Sequence, residues 1–321
     1  MDTLDTSSLQ NVDVTMVGGT MPGLMFYAGF MEEISKYQWL IHIQNVSGTS
    51  AGAAIGALTA VGKAQLAPEL LINAFKGTWV YPPWYLRALL GSKNGIFGKR
   101  TIQGTLKEII QEHVHPDTLV NSPIGLKTLH MRLKKGKLMS ATENLPNPYK
   151  EVVWLIQNLI KYAFGKITWN YGKHEVFDSR KVGNKDKVLE LISGSFQYAP
   201  ENASEQWEML TDGEMWSWHE SSGTVTLLNQ DISPDSNLLV LTRFQEGHES
   251  HTAVQKQIDQ VKAKAKKIIS PIEPLKWDLV STDTNDIQHN LEIWRKTARM
   301  YILAQSLKGS DEKNLTTTIA A

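Results

Sequence analysis

The opening of the chain repeats one pattern: a short apolar stretch, a glycine-containing turn, and a run whose apolar positions recur at helical spacing. "VDVTMV" (12–17) predicts a strand ending on Gly18-Gly19, and "LMFYAGFMEEISK" (24–36) predicts a helix with one charged face. "WLIHIQNV" (39–46) predicts the second strand. "AGAAIGALTAVG" (51–62) predicts a second helix, whose small side chains suit burial against a sheet. Further along, "GLKTLHMRL" (125–133) and "KLMSAT" (137–142) flank "KKG" as a hairpin would, and "DKVLELISGS" (186–195) reads as helix. "TVTLL" (224–228) and "NLLVLTRF" (237–244) read as strands, and "VQKQIDQVKAKAKKII" (254–269) as one long helix. The alternation predicts an α/β class. We expect one main domain over 1–308, with C-terminal helices within 252–308 and a loose tail, "GSDEKNLTTTIAA", at 309–321.

Composition narrows the partners. With 33 basic and 33 acidic residues the formal net charge is zero, so no global field draws the chain to nucleic acid or to an anionic membrane. Any membrane contact is local. The chain holds no cysteine, which excludes disulfides, thiolate metal sites and cysteine nucleophiles. The start "MDTLDTSSLQ" lacks the basic and apolar regions of a secretory signal, and no stretch is apolar for the ~18 residues of a membrane span. A cytoplasmic protein is the expectation.

Chemistry centres on "NVSGTSAGAAIG" (45–56), where Ser50 lies within Gly48-Thr49-Ser50-Ala51-Gly52 between a predicted strand and a predicted helix. This is the nucleophile-elbow pattern. The bend lifts a hydroxyl out of the sheet to a helix N-terminus, where free N–H groups and the helix dipole favour an oxyanion. The same residues also suit a plain structural turn. Gly18-Gly19 raises a dinucleotide loop as a rival, but its spacing is G-G-x-x-x-G rather than G-x-G-x-x-G. His113 and His115, two residues apart before Pro116, have no third ligand nearby and read as solvated histidines rather than a metal site.

Four segments in order resemble the patatin-like phospholipases. "GGTMPGLMFYAGFMEEI" is similar to that family's glycine-rich oxyanion segment followed by a helix with a mid-helix glycine. "GTSAG" matches its G-x-S-x-G. "LMSATENLPN" (138–147) is similar to the strand and turn between its two catalytic residues. "LISGSFQYAP" (191–200) followed by "MLTDGEMW" (209–216) is similar to its small-residue helix, proline entry and D-G-G or D-G-A motif. Together they span residues 12–244. The resemblance implies a three-layer α/β/α fold with a mostly parallel central sheet, and lipid acyl hydrolysis by a Ser-Asp dyad without metal or other cofactor. Ser50 is then the nucleophile and Asp212 the base, with Gly213 completing the dyad motif. Gly18, Gly19 and Thr20 supply the oxyanion N–H groups, and His219 needs no role. Without the resemblance, "TDGE" is an ordinary Asp-Gly turn.

Departures are specific. The family segment G-G-G-x-R/K-G becomes Gly18-Gly19-Thr20-Met21-Pro22-Gly23, and Glu214 replaces the small residue after Asp212-Gly213. A carboxylate there either raises the pKa of Asp212 or points into solvent. Two alternatives therefore stay open: an acyltransferase on the same scaffold, and a non-catalytic lipid-binding or interaction protein. Aromatic residues concentrate at "TWVYPPWYLRALL" (78–90) and "WLIQNLIKYAFGKITWNYGK" (154–173). Trp79, Trp84, Trp154 and Trp169 are candidates for a lid or a peripheral membrane-docking surface, against a core helix, an aromatic loop or a subunit contact. "RLKKGK" (132–137) and "KAKAKK" (262–267) read as a hairpin turn and a solvated helix face. Expected partners are a phospholipid or other acyl lipid, together with an activating partner or a second copy of the chain.

Overall fold

A computed structural model describes residues 9–18, 20–75, 102–133, 172–181, 188–196, 201–203, 208–212, 223–273, 275 and 284–306. Strand β1 (Val12–Met16) leads into helix α1 (Thr20–Ser35), and β2 (Ile43–Gly48) leads into α2 (Ala51–Ala60). A 3-10 turn (Ala64–Leu66), α3 (Ala67–Phe75), α4 (Ile102–His113) and α5 (Pro116–Val120) precede β3 (Gly125–Leu133). Then come β4 (Gly172–Asp178), a second 3-10 turn (Ser179–Lys181), α6 (Val188–Gly194), β5 (Glu201–Ala203) and β6 (Glu208–Asp212). The last elements are α7 (Thr224–Leu228), β7 (Asn237–Leu241), α8 (Glu249–Gln260), β8 (Ala265–Ile269) and α9 (Thr284–Ser306).

The strands form one sheet in the order β5-β6-β3-β2-β1-β7-β8, with β4 paired to β3. The run β3-β2-β1-β7-β8 is parallel throughout, and the β3–β4, β3–β6 and β5–β6 pairs are antiparallel. β7 explains the layering. All five of its residues are buried, and successive side chains of a strand leave by opposite faces. Leu239 and Leu241 enter an apolar core with α1, α2, α3, α4 and α9, while Leu238 and Val240 enter another with Val225 of α7 and Val254 and Ile258 of α8. Helices thus cover both faces, the three-layer arrangement expected from the resemblance.

Helix α1 lies against α9, where Trp294 is fully buried among Phe26, Tyr27 and Phe30. The approach needs Gly29, because a Cβ there would stand 2.8 Å from the Leu291 carbonyl oxygen. Beside this seam Glu33 pairs with Arg299 and Lys36, and Glu32 with Arg295. No helix among the described residues is long and apolar enough to cross a membrane.

Three expectations change. β2 starts at Ile43, after a turn at residues 36–40, and runs to Gly48. "TVTLL" is the short helix α7, not a strand: the Val225 N–H is taken by the Gln257 side chain and the Asn229 side chain returns to the Val225 carbonyl, so tertiary partners override β propensity. "VQKQIDQVKAKAKKII" breaks after Gln260, where Val261 is extended (φ −78°, ψ 135°), and its second half is edge strand β8 rather than a helix face. Parallel pairing from Asn237↔Ala265 to Leu241↔Ile269 fixes that strand. Exposed lysines on a sheet edge discourage further pairing. Among the described residues of 252–308 the order is therefore helix, strand and helix. The hairpin partner "KLMSAT" and the tail at 309–321 lie outside the described residues.

Candidate active site

Gly48 ends β2, and the chain turns through Thr49 and Ser50 into α2. The bend is possible only because both motif glycines lack a side chain. A Cβ on Gly48 would lie 2.4 Å from the Gly52 carbonyl carbon, and one on Gly52 would lie 2.3 Å from the Met16 carbonyl oxygen at the end of β1. Ser50 carries the strain, with φ 54° and ψ −124°, a region that costs a side-chain-bearing residue about 1–3 kcal/mol. Among the described residues only Asn11 shares a positive φ without being glycine.

What holds Ser50 there is backbone. Its N–H donates to the Ser195 carbonyl at 2.9 Å, and Thr49 N–H to the Met16 carbonyl at 3.4 Å. The Thr49 hydroxyl donates to the Leu129 carbonyl at 3.3 Å, and the Ser195 hydroxyl donates to the same carbonyl. Ser195, just after α6, thereby ties the elbow to β3, a role that sequence reading missed. The Ser50 hydroxyl makes no capping bond to α2, although it occupies the N-cap position. An ordinary capping serine has extended backbone and binds an N–H of the first turn. Ser50 does neither.

β1 and β2 end in step, Met16 opposite Gly48, so the segment after β1 runs beside the elbow. Val17 and Gly18 are buried, and the Tyr27 hydroxyl of α1 donates to the Val17 carbonyl. α1 begins at Thr20. Helix geometry leaves its first N–H groups without carbonyl partners within the helix. Gly19 lies outside the described residues.

Asp212 reaches the same place from the other direction. β4 occupies one edge of β3 over Lys127–Leu133, leaving the other edge to two strands laid end to end. β2 pairs with it as far as Gly48↔Thr128, and β6 pairs with it from Leu133↔Met209 to His130↔Asp212. The ends of β2 and β6 are thus separated by two steps of β3, ~7 Å at 3.3–3.4 Å per residue. The backbone brings Asp212 to the foot of the elbow that carries Ser50. Opposite Asp212 on β3 is His130, only 2% exposed, with Nε2 3.8 Å from a carboxylate oxygen of Glu175. Its signal in the sequence is faint: one histidine in the strand "GLKTLHMRL".

The other candidates are not brought here. His113 ends α4, and His115 precedes Pro116 at the start of α5. Gly213, Glu214, His219, Trp79, Trp84, Trp154 and Trp169 lie outside the described residues.

Residues 15–160 match the family model of the patatin-like phospholipases, which bears out the resemblance read from the motifs. That stretch contains β1 from Thr15, the elbow and β3, and stops short of Asp212. Among solved structures, VipD from Legionella pneumophila is similar at 10% identity and a TM-score of 0.42, with 92% of this chain and 67% of that one covered. No curated protein matches.

Proposed function

We propose that this patatin-like chain is a lipid acyl hydrolase in which Ser50 is the nucleophile and Asp212 its base. The observation that carries the reading is the meeting of β2 and β6 end to end on β3, beside a serine at φ 54° whose hydroxyl is not used as a helix cap. A serine hydroxyl needs an adjacent base, and a carboxylate placed directly beside it serves without an intervening imidazole. Asp212 accepts the Ser50 proton as Oγ attacks the ester carbonyl carbon. The oxyanion is received by N–H groups of Gly18, Gly19 and Thr20, a type of donor typically worth about 3 kcal/mol each. Collapse expels the alcohol, a lysolipid when the substrate is a phospholipid, and Asp212 returns the proton to it. Water, deprotonated by Asp212, then cleaves the acyl-Ser50 ester and releases a fatty acid.

The family match supports lipid as the substrate class, and peripheral contact with a membrane through the tryptophan-rich segments is part of the proposal. The test is labelling by a fluorophosphonate, followed by peptide mass spectrometry. The reading expects a single phosphonylated residue, Ser50, with labelling lost in Ser50→Ala and slowed in Asp212→Asn. A folded chain that stays unlabelled favours the non-catalytic alternative.

A further inference from the structure

Three ionisable residues, far apart in the sequence, stand in one line across the sheet. His130 on β3 is in register with Glu175 on β4 and with Asp212 on β6. Directly opposed positions on neighbouring strands share a face, with Cβ atoms about 5 Å apart. The face is the one covered by α2. Leu126, four residues before His130, lies against Gly56 of α2, and Phe177, two residues after Glu175, joins the same apolar core. His130 is therefore an ionisable ring inside an apolar layer, beside the end of β6 and close under the elbow.

We propose that His130 is a positioning residue for the Asp212 carboxylate, a buried imidazolium held between Asp212 at the elbow and Glu175 towards solvent. The inference rests on Asp212 being the base. A neutral imidazole has one N–H and can serve one carboxylate; a carboxylate on each side calls for both N–H groups, hence the protonated ring. Other charges facing this row are few. The next row of the ladder sets Lys173 opposite Arg132, with Leu210 of β6 and Glu201 of β5 beyond them. α2 has no ionisable side chain, Glu190 of α6 is exposed, and the preceding row pairs Thr128 with Phe177. The proton of the row accordingly belongs to the ring. A fixed cation beside Asp212 keeps it ionised, and so able to accept the Ser50 proton, to lower pH. Glu175, with its side chain 32% exposed, links the ring to the solvent.

The test uses the full chain with histidine labelled by ¹⁵N and two readouts. In the first, the His130 ring is titrated by NMR in wild type, Asp212→Asn and Glu175→Gln; each substitution is expected to lower the ring's proton affinity about tenfold. This readout needs no catalysis. In the second, kcat/KM for a short-chain p-nitrophenyl ester is measured against pH in wild type and His130→Gln. The acid limb is expected to move up by about one pH unit in the variant. A merely structural histidine lowers the amplitude and leaves the limb in place, and that result overturns the proposal. So does a ring titration unmoved by both substitutions, whatever the activity. If the ring responds as expected but the wild type cleaves no ester, the hydrolase reading fails while the ionic row stands. If His130→Gln does not fold, Glu175→Gln replaces it in the pH profile, with a smaller shift in the same direction.

Discussion

Replacing Gly52 by alanine adds one methyl group where the first turn of α2 crosses the end of β1. The new Cβ would lie 2.3 Å from the Met16 carbonyl oxygen and 2.7 Å from the Met16 Cβ. Carbon contacts are comfortable at ~3.5–4.0 Å, so strand and helix must separate by about 1 Å, and no side-chain rotation relieves it. Overpacking of this kind costs about 3 kcal/mol, the upper end of its usual range, because the obstacle is main chain. The helix preference of alanine over glycine returns up to about 1 kcal/mol. The net expectation is a loss of about 2 kcal/mol. Gly56, one turn further along α2, is the internal control. A Cβ there meets Leu126 Cδ1 at 3.1 Å and Met16 Cε at 3.5 Å, both tips of flexible side chains. Gly56→Ala is thus expected within about 0.5 kcal/mol of wild type, by partial cancellation of a small packing cost and the helix gain. Urea unfolding of the three proteins measures the difference directly, read as the change in midpoint at constant slope. Because Ser50 hangs on the same crossing, Gly52→Ala should also lose ester hydrolysis at temperatures where it remains folded. Equal midpoints for the two variants would refute the claim that main-chain contact shapes the elbow.

Ser50→Gly removes the nucleophile and the side chain that resists φ 54°, so it should abolish hydrolysis while raising stability by about 1 kcal/mol, seen as a higher unfolding midpoint. Trp294→Ala empties the site of a fully buried indole between α1 and α9, and should cost about 3–5 kcal/mol in the same assay. Burial alone would raise the pKa of Glu33, but hydrogen bonds from Arg299 and Lys36 overcome it and hold the carboxyl below its ordinary value of 4.5. A depressed folded value means the stabilisation is complete above the unfolded value and disappears as pH falls through the folded one. Glu33→Gln should therefore lower the unfolding midpoint at pH 7, and the gap from wild type should close as pH falls below the ordinary value of 4.5 and through the folded one.

The local features of the fold were legible where the sequence forces them. Gly48 and Gly52 announce the close crossing of strand and helix, and the small residues of α2 announce a helix buried against a sheet. What escaped depends on distant partners. "TVTLL" looks like a strand until Gln257 and Asn229 supply its hydrogen bonds, and "KAKKII" looks like a continuing helix until β7 offers it an edge. The site shows the same division. Ser50 sits inside its own motif, whereas the placement of Asp212 depends on β6 taking over the edge of β3 where β2 stops. The Glu175, His130 and Asp212 row arises from two antiparallel pairings at once, and no local pattern in any of the three strands encodes it.

Hydrolysis by Ser50 with Asp212 as base is tested by turnover of mixed phospholipid vesicles followed by mass spectrometry, comparing wild type, Ser50→Ala and Asp212→Asn. Fatty acid and lysolipid are expected from wild type alone, with both variants folded and inactive. Equal release by wild type and Ser50→Ala would contradict that assignment.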